Sequence, residues 1–461
     1  MNRQESLKPT ILFSEINIPP ENYLPFSSPE EIVRLLHGSN QRLYAVMRNC
    51  ALTVLNSGIK ADNNADLFKK YSKFKLNFTC SQNWLRLSLS HAPAHAFVDG
   101  VLIQKNHDQL LSVIRDLLFG SKLSVNSADD HGTESTEIVL KILRNAKTVT
   151  PIDKRPCIVC WGGHSINSKE YNYARLVGQE LGLRVFDICT GSGPGVMKAV
   201  MHGAFDGHQR QGWRHGRFIG LSEVGIIATE PPNSLVSELV IMPDMEKRLE
   251  AFVRVAHGII IFPGGPGTVE EVLYLVAILL DPENKKHTPP IIFTGPEDAQ
   301  GTIEAYIDFL KSIFNEKINS IKVIIEDPER VATEISNIHE DVSGQQSKKY
   351  IKHDFNWKLN IPKVLRDPFV ANHKTMAGLK LTKDLPSHEL AHNLRCLFSG
   401  IVAGNIKSNT RELITRDGPF EIVGDPQLID AAEKLLKKLV SEKRMKLHGV
   451  YEPCYRLKNN A

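Results

Sequence analysis

The sequence predicts an α/β protein: a central Rossmann-like, doubly wound parallel sheet, flanked by an N-terminal α+β domain and a smaller, mostly helical C-terminal domain. Three observations carry this. Short apolar runs alternate with helical patterns from about residue 150 to 340, as parallel strands joined by right-handed crossovers require. Two glycine-rich segments each follow an apolar run and open a helix, which is where open α/β sheets bind ligands. At 461 residues, 42% hydrophobic and 23% charged, the composition is that of a globular protein and the chain is too long for one core.

The elements follow in order. Ser28–Leu55 reads as one long helix. Phe74–Phe78 and Trp84–Leu89 alternate like half-exposed strands, and Gln109–Leu118 is helical. Asn126–Glu134 is polar and turn-rich, and Ser135–Ala146 is a helix entering the central domain. There, strands are expected at Pro156–Trp161, Arg184–Cys189, Phe218–Leu221, Leu235–Ile241, Gly258–Phe262, Pro290–Thr294 and Ile321–Ile325. The helices between and after them are Ser168–Leu183, Val196 to about Ala204, Met245–Ala256, Val269–Leu280 and Thr302–Phe314. A polar stretch at Ser343–Lys349 opens the last part, which contains Asp354–Trp357 and helices at His388–Val402 and Pro426–Glu442. The domains are thus expected at 1–147, 148–342 and 343–461.

Several function classes are excluded by composition. The net charge of +4 is too small for a dedicated nucleic-acid binder. No run approaches the roughly 20 apolar residues of a membrane span, and the N-terminus lacks a signal-peptide core. The seven cysteines are odd in number and scattered, which is not a disulfide framework. A cytoplasmic protein is expected. Cys157-Ile158-Val159-Cys160 has C-x-x-C spacing but lies in an apolar strand with no second pair, so neither zinc nor a redox dithiol is expected.

The strongest chemical signal is Pro263-Gly264-Gly265-Pro266-Gly267-Thr268-Val269-Glu270-Glu271. Its glycines permit close backbone approach, and their N–H groups with those of the helix N-terminus suit an anion, as phosphate does. Thr268 and Glu271 also fit a capping box, with Thr268 as N-cap. Thr190-Gly191-Ser192-Gly193-Pro194-Gly195 is a second such turn. It departs from G-x-G-x-x-G because Val196 stands where the third glycine would be. Arg248, in Met245-Glu246-Lys247-Arg248, suits bidentate contact with phosphate or carboxylate. Gly163 and His164, in Trp161-Gly162-Gly163-His164-Ser165, lie at the end of a strand.

These residues resemble a known family. Pro263-Gly264-Gly265-x-Gly267-Thr268-x-x-Glu271 is similar to the signature of Lonely-guy-type phosphoribohydrolases, long mislabelled as lysine decarboxylases. Met245–Arg248 resembles that family's Met-His-x-Arg-Lys motif, with Glu246 in place of the His and Leu249 in place of the Lys. The layout of the whole chain, with the Trp161–Ser165 segment, resembles the bacterial branch of pyrimidine/purine nucleotide 5′-monophosphate nucleosidases.

The resemblance implies hydrolysis of nucleoside 5′-monophosphates, purine and pyrimidine, to free base and ribose 5-phosphate. It implies no cofactor and no metal. Glu271 and Arg248 are then the catalytic candidates. Gly264, Gly265, Gly267, Thr268, Gly191, Ser192, Gly193, Gly195, Gly163, His164 and Glu270 are candidates for phosphate and ribose binding. The flanking domains are expected to build the contacts of a homo-oligomer, dimer or tetramer, and a site for a regulatory phosphorylated nucleotide. The basic stretches Lys348-Lys349, Lys437-Lys438 and Lys443-Arg444 motivate the latter. Three alternatives compete: cytokinin-type phosphoribohydrolase activity, a non-catalytic nucleotide sensor on the same fold, and lysine decarboxylation. The last normally needs a Schiff-base lysine, and no lysine lies in the glycine loops.

Overall fold

A computed structural model describes residues 10–20, 28–37, 41–58, 64–81, 84–129, 135–149, 156–284, 289–318, 320–346, 359–445 and 453–459. The Asp354–Trp357 segment and Lys348-Lys349 lie outside them. The central strands are β1 (Cys157–Trp161), β2 (Asp187–Thr190), β3 (Phe218–Glu223), β4 (Glu238–Met242), β5 (Gly258–Ile261), β6 (Ile291–Gly295) and β7 (Lys322–Ile325). They form one seven-stranded sheet in the order β7-β6-β5-β1-β2-β3-β4, with parallel pairing between registered neighbours. The expected α/β class and doubly wound sheet are present. The inner strands β1, β2, β5 and β6 are buried at every residue. That is why β1 and β5 read as continuous apolar runs rather than alternating ones.

The chain divides into two compact units, Met1–Val149 with Ile219–Arg248, and Thr150–Phe218 with Leu249–Ala461. In the first, strands Thr10–Ile18, Trp84–Pro93 and Lys75–Ser81 form an antiparallel sheet with Trp84–Pro93 in the middle. Helix Gln104–Asp129 meets β4 through a buried ion pair. Arg115 Nε lies 2.7 Å from Asp116 Oδ1, Arg115 also donates to the Leu239 carbonyl at 2.9 Å, and Asp116 accepts from Ile241 N–H at 2.8 Å. The pair satisfies the outward-facing backbone groups of an edge strand, a place where unpaired donors would otherwise invite association. Burial raises the Asp116 carboxyl despite the opposing Arg115 charge.

In the second unit, α1 (Ser168–Leu183) and α2 (Val196–Arg210) pack backbone against backbone. Gly178 and Gly182 on one helix and Gly203 and Gly207 on the other allow it. A Cβ on Gly178 would lie 2.1 Å from Val200 O, and one on Gly203 would lie 1.7 Å from Arg175 O. Replacing Gly203→Ala must therefore force the backbones apart. We expect a loss of about 3 kcal/mol in urea unfolding, at the upper end for overpacking, despite alanine's better helix propensity. Unchanged stability would show that the crossing yields easily.

Several boundaries differ from expectation. Ser28–Leu55 is described as two helices, Pro29–His37 and Gln41–Leu55. The helix expected at Gln109–Leu118 spans Gln104–Asp129, so the polar run from Asn126 stays helical as far as Asp129. β2 begins at Asp187 rather than Arg184, because Arg184 caps α1 and Val185 turns the chain at φ 55°. The polar stretch from Ser343 continues helix Pro328–Gln346 for one more turn. Strands Thr10–Ile18, Phe420–Gly424 and Tyr455–Asn459 had no expectation; the last two pair in parallel.

Candidate functional site

The site is built at the point where the chain reverses direction in the sheet. β1 leads outward to β2 on one side, and the chain returns at β5 on the other. Ligand crevices open at such switch points, beyond the carboxyl ends of the strands. Three glycine segments meet there, all in the second unit: Gly162-Gly163 after β1, Gly191–Gly195 after β2, and Pro263–Gly267 after β5.

Their contact is backbone to backbone. Gly163 N–H donates to Pro263 O at 3.1 Å, and Val196 N–H donates to Gly163 O at 3.1 Å. A Cβ on Gly163 would lie 3.0 Å from Gly264 Cα, and one on Gly195 would lie 2.3 Å from Gly163 O. Gly195 also has φ 68°, in the left-handed region that favours glycine. Gly193 faces the exposed His164, whose Cε1 would be 3.0 Å from an added Cβ. Ser192 is buried at φ 69°, and its N–H donates to Thr190 Oγ1. The structure thus brings Gly163, His164, Gly191–Gly195 and the Pro263 loop together.

The motif helix α4 runs Pro266–Leu280, not from Val269. Thr268 is therefore not the N-cap, and the expected capping box does not form. Gly265 is the N-cap in extended backbone, with no side-chain cap, and Pro266 takes the first helical position, for which its fixed φ is pre-organised. Thr268 N–H turns back to Gly265 O at 3.0 Å. Its hydroxyl packs over Gly264, where an added Cβ would meet Oγ1 at 2.1 Å.

Gly264 is held by a residue that belongs to no motif. Tyr306, on α5 (Gln300–Phe314), accepts from Gly264 N–H at 3.0 Å and donates to Gly264 O at 2.6 Å. Burial drives the Tyr306 hydroxyl well above the ordinary phenol range, although the Gly264 hydrogen bond opposes it. It is a neutral phenol that fixes a peptide, not an acid or base.

The two motif carboxylates part company. Adjacent helical residues point about 100° apart. Glu270 is buried, and its Oε1 lies 3.5 Å from Nε of Arg395 on α6 (Ser387–Ile406), a side chain with no exposure. Glu271 is half-buried. Arg395, too, is invisible in a sequence reading of the motif. On the same helix, burial and then the Arg395 charge lower His392 to about 4, and its Nε2 lies 3.5 Å from Cys396 Sγ.

A histidine neutral in the fold but protonated when unfolded favours unfolding as pH falls. Its contribution is complete above the ordinary value near 6.5 and is lost toward pH 4. We expect about 3 kcal/mol less stability at pH 4 than at pH 7 from this group. The check is chemical denaturation across pH, where His392→Gln flattens the profile by that amount.

Arg248 belongs to the first unit. It is buried, donates from Nε to Leu221 O at 2.9 Å, and lies 3.6 Å from Met245 Sδ. Of the basic stretches, Lys437, Lys438 and Arg444 are ion-paired with Glu433, Glu442 and Glu170 respectively. All seven cysteines are free. Cys157 and Cys160 are buried thiols raised well above their usual range, Cys157 first by a hydrogen bond with the Cys189 thiol and Cys160 by burial. Among the described residues, no group of three or more His, Cys, Asp or Glu side chains could hold a metal. No described helix is long and apolar enough to cross a membrane.

Comparison with known proteins bears on this geometry. Residues 16–123 match the family model described as pyrimidine/purine nucleotide 5′-monophosphate nucleosidases, and 339–458 match the C-terminal model of the same nucleosidases. Residues 197–335 match "Possible lysine decarboxylase". The pyrimidine/purine nucleotide 5′-monophosphate nucleosidase of Escherichia coli (strain K12) is 42% identical over 96% of this chain and 99% of its own. The chain belongs to this nucleosidase family. The match spans nearly the whole chain, so the glycine cradle and the helices that hold it are features of a nucleosidase-family chain. The central part also resembles the probable cytokinin riboside 5′-monophosphate phosphoribohydrolase LOGL2 of Oryza sativa subsp. japonica, 30% identical over 27% of this chain and 48% of that one. A molybdenum cofactor binding protein from Rippkaea orientalis aligns over 40% of this chain and 98% of its own, at 21% identity and a TM-score of 0.30.

Proposed function

We propose that this nucleosidase-family chain hydrolyses the N-glycosidic bond of purine and pyrimidine nucleoside 5′-monophosphates, releasing free base and D-ribose 5-phosphate. The observation that supports this most is the joining of three glycine segments at the switch point of the sheet, in a chain with a near full-length nucleosidase relative. The cradle suits a phosphate. With Gly264 N–H given to Tyr306 and Thr268 N–H to Gly265 O, the anchoring role passes to the N–H groups of Gly265 and Gly267, with the Gly191–Gly195 turn beside them.

Cleavage passes through an oxocarbenium-like sugar. A carboxylate near the ribose balances its charge and orients water, and Glu271 takes that role. Glu270 is committed to Arg395 and supports the helix. Arg248 is carried as a second catalytic residue by its motif position. The reaction needs no cofactor. Around it, the reading places domains at 1–147, 148–342 and 343–461, a cytoplasmic homo-oligomer of two or four chains, and a regulatory phosphorylated nucleotide. Light scattering and nucleotide titration test the last two.

The deciding experiment incubates the purified chain with AMP, GMP, CMP and UMP and resolves released bases by chromatography. Release of base together with ribose 5-phosphate is expected. No release from any monophosphate would overturn the reading, whereas release only from an N6-substituted adenosine monophosphate would favour the cytokinin-type alternative.

A further inference from the structure

The C-terminal segment reaches the phosphate loop at one point that the mechanism does not yet use. Helix α7 (Pro426–Ser441) ends in a tight turn: Lys443 takes φ 56°, its N–H donates to Val440 O at 2.9 Å, and Arg444 N–H donates to Leu439 O at 2.9 Å. This is the Schellman pattern, with lysine where glycine is usual. It turns Arg444 back toward the glycine loop. The Arg444 carbonyl lies over Gly265, where an added Cβ would come within 2.2 Å of it. The guanidinium, only 8% exposed, bridges two carboxylates: Nη1 to Glu170 Oε1 at 2.8 Å and Nε to Glu442 Oε2 at 2.7 Å. Glu442 also accepts from Thr302 and pairs with Lys438. Glu170 closes the capping box of α1, the helix that follows the Gly162-Gly163 turn.

We infer that Arg444 is a positioning residue of the phosphate loop: its carbonyl braces Gly265, next to the Gly264 peptide that Tyr306 holds, and its guanidinium locks that brace to the start of α1. This rests on the reading of the loop as a phosphate anchor. Gly265 N–H is one of the two loop donors left for the ligand, so its aim depends on what holds Gly265. A brace that serves the phosphate alike in substrate and transition state acts on KM and leaves kcat in place.

The test uses the full chain. Arg444→Met is expected to raise KM for AMP about tenfold with kcat within about threefold, and to raise the inhibition constant of ribose 5-phosphate by the same factor. Arg444→Lys recovers part of the loss, since an ammonium meets one carboxylate and not both. Gly265→Ala, which collides with the carbonyl, reproduces the KM effect without touching the ion pairs. Unchanged KM and inhibition constant in the methionine variant, with only a lowered melting temperature, would overturn the inference. So would a fall in kcat at constant KM. Where Arg444→Met does not fold, Arg444→Lys and Gly265→Ala decide alone. Should the native chain release no base at all, the nucleosidase reading falls. Calorimetry with inorganic phosphate then decides the brace: weaker binding in Arg444→Lys upholds it, and equal binding rejects it.

Discussion

Glu271→Gln is expected to lower kcat for base release by about 10³-fold, within the span that a positioned acid–base or charge-stabilising carboxylate supplies. The substitution keeps shape and reach, removes the charge and exchanges one acceptor oxygen for a donor NH2, so it tests the balance of the oxocarbenium-like sugar with little change to the rest of the nucleotide's contacts. KM should hold within a few fold, because the proposed phosphate contacts lie elsewhere, in the glycine loops. The neighbouring Glu270→Gln is the internal control. Its side chain is buried against Arg395, so its loss should appear in stability rather than in kcat. Steady-state kinetics on the two variants separates the roles. If Glu271→Gln keeps most of its turnover while Glu270→Gln loses it, the assignment is reversed. Base release surviving in both Glu271→Gln and Arg248→Ala would remove the catalytic pair altogether.

The second large effect is on the fold. Arg395→Leu leaves the Glu270 carboxylate buried without the cation 3.5 Å away. Breaking a buried pair by removing one partner costs about 3–5 kcal/mol, because an uncompensated charge stays in a low-dielectric site. The double variant Arg395→Leu, Glu270→Leu should return most of this, since well-packed apolar side chains replace a buried pair at little net cost. Denaturant unfolding of the native chain, both single variants and the double variant closes the cycle. A single variant as stable as the native chain would show that the pair lies in a wetter setting than its burial implies. A double variant as unstable as the single one would show that Arg395 matters through its other contacts.

What the sequence disclosed follows from range. Strands β1 and β5 were legible because burial on both faces makes them unbroken apolar runs, and the two glycine loops because only glycine fits where backbones touch. Glu270 and Glu271 were legible as a pair but not as a division of labour, since the face that each presents depends on where helix Ser387–Ile406 packs. The start of α4 was misread because Thr268 and Glu271 mimic a capping box, while Pro266 and Gly265 set the true start. Tyr306, Arg395 and Arg444 meet the loop and its helix from far along the chain. No spacing rule links them to it, and each is an ordinary helix or turn residue in its own neighbourhood.

The glycine crossing of α1 and α2 has a consequence for binding. Each helix starts just beyond one of the cradle's turns, and the pair meets main chain against main chain. Side chains at an interface adjust by changing rotamer, whereas peptide groups have no such freedom. The spacing between the two turns is therefore gauged by atomic radii and settled while the chain folds. A ligand entering the cradle finds its walls already standing, and the entropy of arranging them does not count against its affinity.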